Sequence, residues 1–203
     1  MFFLCIAQLS LYEFATVMEF QKERSVFIRE KTGKLYGVLA YYFSKLVIEL
    51  PLLLALPMLE NVLTFFGIAF RAPAFWEFYL VYVLTVQVGT SMGYLISCCF
   101  NDMFAASQVT PFAVMPSVLF GGLVVNLATL NKWISWMQYA SPTRFAYEAL
   151  LWSQWPNDEY GLQDHYGFNL GYEKCCLALI AWAVVYRTMA LIFLAVLSRN
   201  AFK

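Results

Sequence analysis

The sequence is poor in charge. Asp, Glu, Lys and Arg make up 13% of its 203 residues, acids and bases cancel to a formal net charge of zero, and there is one histidine. So sparse and balanced a charge excludes nucleic-acid binding, which needs uncompensated clusters of Lys and Arg against phosphate. His165, beside Asp164, offers no convergent acid-base set, and an isolated histidine in a polar stretch reads as solvated. The five cysteines (Cys5, Cys98, Cys99, Cys175 and Cys176) lack CxxC spacing and a companion histidine, so no metal site is expected. A cross-link between two subunits through Cys175 or Cys176 stays open. There is no Asn-x-Ser/Thr sequon and no GxxxxGK[ST] phosphate loop, so the chain names no catalytic residue and no cradle for ATP. Its first block has neither a basic leader nor a small-residue cleavage site and is expected to be a membrane span.

What is present is apolar: 62% of the residues are hydrophobic, and they fall in long blocks. A spanning helix needs about 20 mostly apolar residues; several blocks meet that length, and five are read as spans. They run from Phe2 to Val17, Tyr42 to Ala69, Phe75 to Phe100, Phe104 to Val125 and Cys175 to Leu197. The expected fold is all-α, a polytopic membrane helix bundle of about five transmembrane helices with short interfacial outer helices.

The charges that exist are concentrated. Lys22, Arg24, Arg29, Lys31, Lys34 and Lys45 all lie in residues 19–45, with Gly33 and Gly37 as breaks. Basic residues gather in short cytoplasmic loops, so this segment is placed inside the cell, as is the tail ending in Arg199 and Lys203. Five spans with an inner C-terminus put the N-terminus outside, which is expected if a preceding span belongs to a longer parent chain. Pro51, Pro57, Pro111 and Pro116 interrupt the second and fourth spans. Gly89, Ser91, Gly93 and Ser97 make a small-residue face on the third. Residues 126–172 are too polar to cross but carry Trp133, Trp136, Tyr139, Tyr147, Trp152 and Trp155, which predicts one or two short helices at the outer interface. Lys45 with Glu49 and Arg144 with Glu148 stand at pairing distance on a helix. Glu13 and Glu60 are acids inside spans.

Four stretches in order carry a resemblance. They are Gln21 to Glu30, followed by Gly33, Tyr36, Tyr41-Tyr42, Ser44-Lys45 and Glu49-Leu50-Pro51; Phe120 to Asn126; Trp133 to Leu150; and Tyr186-Arg187. Together they resemble the membrane half of the G subfamily of ABC transporters. The resemblance implies that residues 1–203 form an ABC-2 type transmembrane domain lacking the family's first span and its nucleotide-binding domain. It implies that residues 19–45 are a cytoplasmic coupling segment in which Glu23, Arg24, Phe27, Arg29 and Glu30 meet an ATPase domain. Gln8, Leu11, Pro111, Met115 and Val118 match cavity positions. Leu123 and Val124 match an apolar plug, with Val in place of the second Leu of a multidrug member.

On that reading the chain is the membrane-spanning part of an ATP-driven exporter of lipid-like or amphipathic small molecules in the plasma membrane. It would be a homo- or heterodimer with another half-transporter, surrounded by membrane lipid, with ATP and Mg bound by a nucleotide-binding domain supplied in cis or in trans. The alternative is a truncated scaffold or regulatory subunit that does not transport. An intramembrane transferase would need a catalytic constellation that the residues do not offer.

Overall fold

A computed structural model describes residues 1–33, 36–68, 74–100, 102–125, 131, 133–155, 168 and 170–200. Lys34, the turn at 71–73, Asn101, Asn126, Asp164 and His165 lie outside the described residues. Helix α1 is Phe2–Thr32, α2 Val38–Ile68, α3 Phe75–Cys99 and α4 Met103–Leu119. A short 3-10 helix, Ser135–Ala140, leads to α5, Pro142–Gln154, and α6 is Tyr172–Asn200. Among the described residues four helices are long and apolar enough to cross a membrane, over Phe2–Arg24, Val38–Gly67, Phe75–Cys99 and Tyr172–Val196; α4 is a shorter apolar helix.

Helix α3 is the axis, touching α1, α2, α4, α5 and α6. Its small-residue face makes that possible. A Cβ on Gly89 would stand 2.7 Å from the carbonyl oxygen of Leu9, and one on Gly93 would stand 2.6 Å from that of Glu13. Lipid is as apolar as a side chain, so membrane helices associate through such close backbone approach more than through apolar burial. On α1 the residues turned inward include Phe2, Cys5, Leu9, Tyr12, Thr16, Phe20, Arg24 and Phe27. That spacing of three or four is one helix face.

Three local features differ from the sequence expectation. The first block does not stop at Glu19: α1 continues as one helix through the charged stretch to Thr32. No glycine or proline interrupts it, and its inward face is carried on by Arg24 and Phe27, so the helical period survives the change from apolar to charged sequence. The fourth block is helical only to Leu119 rather than to Val125. Its last turn tightens through a Gly121 N–H bond to the Val118 carbonyl, and Gly122 takes a φ of 101° that favours glycine. Finally, α5 is not laid along a surface. Every residue from Pro142 to Leu151 is buried, because the helix packs between α3 and α6. Trp133, Trp136 and Tyr139 just before it remain exposed.

Candidate functional site

Helices α1 and α4 enclose a cavity of about 540 Å³. Asp102 starts α4 by accepting the Ala105 N–H at 3.3 Å, which sets the helix running back along α1. Leu11 and Phe14 form one wall, Pro111, Met115 and Val118 the other, and Val124 closes one end. Two hydroxyls reach the lining, yet both are already committed. Ser10 Oγ donates to the Ile6 carbonyl at 2.7 Å and Thr110 Oγ1 to the Ala106 carbonyl at 3.0 Å. The surface offered to a guest is therefore apolar, with a polarizable methionine among its contacts. Leu11 (62% exposed) and Met115 (61%) show that the cavity opens away from the chain's own core.

Four of the five residues predicted for the cavity thus line one space. The fifth, Gln8, turns toward α2, where its Nε2 donates to Glu60 and Tyr12 joins the same carboxylate through its hydroxyl at 3.4 Å. Glu60 is a bond between α1 and α2. Glu13 is fully buried between α1 and α3, with neither carboxylate oxygen hydrogen-bonded. Of the predicted gate pair, Val124 lines the cavity and is 57% exposed, while Leu123 (37%) is not part of the lining.

The far end of α1 holds the residues predicted to meet an ATPase domain. Arg24 (5% exposed) points inward and donates to the Phe100 carbonyl, and Gln21 Nε2 donates to the carbonyls of Ser97 and Phe100 at 3.0 and 2.9 Å. These are the unsatisfied carbonyls that end α3, so a cation there also complements the helix dipole. Phe27 (1%) stacks with Tyr41 at a ring separation of 4.3 Å. Glu23 pairs with Lys45, which also reaches Glu49 at 2.9 Å, and the Tyr94 hydroxyl donates to Glu49. The Lys45–Glu49 pair is the one the sequence spacing predicts; its extension to Glu23 and Tyr94 is not.

Glu30 accepts a hydrogen bond from Tyr36, whose phenol is pushed up to about 12 by burial and by that carboxylate. Arg29 is exposed. A cleft of about 490 Å³ between α1 and α2 is lined by Lys22, Glu23, Tyr41, Lys45 and Glu49 among others.

The sequence analysis noted Gln21 and Arg187 only within the stretches that carry the resemblance and gave neither a role; Arg187 Nε donates to Ser91 Oγ at 2.9 Å and its Nη2 donates to Gln87. An arginine inside a 29-residue apolar helix was the available signal. Cys175 and Cys176 are free thiols buried in the chain.

Residues 1–155 match the family model described as ABC-2 type transporter. The chain is 36% identical over 150 residues to Protein white of Drosophila melanogaster, covering 73% of this chain and 22% of that protein. It is 27% identical over 148 residues to the ABC transporter ATP-binding protein/permease wht-1 of Caenorhabditis elegans, covering 71% and 22%. Against the broad substrate specificity ATP-binding cassette transporter ABCG2 of Mus musculus it is 28% identical over 176 residues, covering 85% and 25%. The chain thus spans about a quarter or less of the length of these relatives.

Proposed function

This chain belongs to the ABC-2 type transporter family, and we propose that it is the membrane-spanning part of an ATP-driven exporter of lipid-like or amphipathic small molecules, working by alternating access in a dimer. The observation that carries the proposal is the cavity between α1 and α4, whose walls are apolar and whose hydroxyls are internally bonded. Such a space recognises a guest by shape and apolar contact rather than by fixed hydrogen bonds, which suits an amphipathic cargo. It opens on the face of α1 and α4 that carries Phe3, Phe14, Phe104 and Phe112 exposed, where a second half-transporter would complete it.

ATP and Mg would be bound elsewhere. The sequence has no phosphate loop, and among the described residues no three of His, Cys, Asp and Glu gather where they could hold a metal ion. On this reading the chain's part is to receive motion. Arg29, exposed on the tail of α1, and the half-exposed Glu23 supply the charged surface for a nucleotide-binding domain, while Arg24 and Phe27 pass its movement inward to α3 and α2. The tail and the C-terminus are then cytoplasmic, and the membrane is the plasma membrane.

The test is transport of a rhodamine dye into inside-out vesicles from cells that co-express the chain with a G-subfamily ATPase polypeptide. Met115→Trp fills the cavity and should lower ATP-dependent uptake at least about tenfold with surface expression unchanged. Uptake unaffected by Met115→Trp would remove the cavity from the transport path.

A further inference from the structure

At the junction of α4 and α5, two hydroxyls are turned away from their own helix. Ser141 stands at the N-cap of α5, where a serine oxygen ordinarily accepts an N–H from the first turn, and it makes no such bond. Its Oγ donates instead to the Ser117 carbonyl at 2.8 Å, the Thr143 hydroxyl donates to the same oxygen, and the two hydroxyls lie 2.9 Å apart. All three residues are buried. That carbonyl is one of the last four of α4, and these have no partner within a helix. Gly121, four residues on, gives its N–H to Val118.

Shape fixes the same turn from the other side. A side chain on Gly121 would meet the Phe2 ring at 2.5 Å and the Thr143 hydroxyl at 2.9 Å. The chain then passes through Gly122, in the left-handed region, into Leu123 and Val124. Giving up the cap leaves the start of α5 less satisfied and the end of α4 better held.

We infer that Ser141 and Thr143 are positioning residues for the constriction: by binding the Ser117 carbonyl they determine where α4 stops, and so where Val124 stands at the end of the cavity. This rests on the reading of Leu123 and Val124 as a gate. It also ties that gate to α6, because Glu148 of α5 accepts the Leu170 N–H at 2.7 Å just ahead of α6.

The experiment is hydrogen exchange by mass spectrometry on the chain in lipid nanodiscs, with passive leak of a rhodamine dye from vesicles carrying the same variants. The double substitution Ser141→Ala with Thr143→Val should raise exchange at Phe120 to Val124 by about tenfold, as for the loss of a buried hydrogen bond or two, with α3 unchanged. Thr143→Ser should keep wild-type exchange. Unchanged exchange at Phe120 to Val124, or an equal rise in α3, overturns the inference. If exchange rises locally and leak rises with it, both the inference and the gate stand. A local rise without leak leaves the hydroxyl pair as the determinant of the turn and overturns its role at a gate.

Discussion

Arg144 and Glu148 are a buried pair in α5, 3.9 Å apart, and the guanidinium lies 4.9 Å from the Tyr139 ring centre. Glu148 also accepts the Leu170 N–H, so it serves a structural bond and an ion pair together. Burial nevertheless raises its carboxyl above the ordinary 4.5, against the opposing pull of the Leu170 N–H and of Arg144. A group whose folded pKa lies above its unfolded value adds stability below the unfolded value, and that contribution is lost as pH rises through the folded one. Wild-type protein should therefore lose stability as pH rises above 4.5, while Glu148→Gln, which keeps an acceptor for Leu170, should flatten that fall. Thermal unfolding in detergent at several pH values checks this; parallel slopes for the two proteins would contradict it.

Among the elements, α1 is the one whose sequence misleads. The change from apolar to charged residues at Glu19 looks like the edge of a span followed by a loop, because composition reports the environment and not the helix. The continuity was readable in Phe20, Arg24 and Phe27, which keep the inward spacing across the change. The end of α4 was less readable: two prolines and a Gly-Gly pair marked a weak region, but the partners of the Ser117 carbonyl come from α5, more than twenty residues on in the chain. Of the five positions proposed for a substrate cavity, four share one space and Gln8 does not, because Glu60, its partner, lies 52 residues away. Arg24 yields a prediction for the element it grips. Arg24→Ala leaves the carbonyl ends of α3 without a charged donor and should cost about 1–3 kcal/mol, read as a lower unfolding midpoint with faster exchange at Phe100 to Ala105. Exchange confined to the tail of α1 would show that the grip on α3 carries no weight.

For the whole molecule, exposed apolar surface is carried by several helices: Val47, Ile48, Leu63 and Phe66 on α2, Leu177, Val184, Ile192 and Val196 on α6, and Phe14, Phe112 and Met115 on α1 and α4, where the cavity opens. In the proposed dimer, the face of α1 and α4 would be covered by a neighbouring half-transporter and the others would meet lipid. Single cysteines at Phe14 or Phe112 should cross-link two copies in membranes with a short bismaleimide, and one at Leu63 should not, as scored by the dimer band on denaturing gels. Linkage at Leu63 alone would place the contact on the other face.

Helix α1 has no glycine or proline in its 31 residues, while α2 and α4 each carry two prolines. A rod without a joint cannot absorb a push by bending. Seated against α3 where Gly89 and Gly93 let the backbones meet at Leu9 and Glu13, and gripped again at Gln21 and Arg24, it would carry a displacement of its charged end toward the Phe2 end under the proposed coupling role. Phe2 rests on Gly121. On that reading, a push on the charged end would reach the turn at Gly121 without being spent on bending.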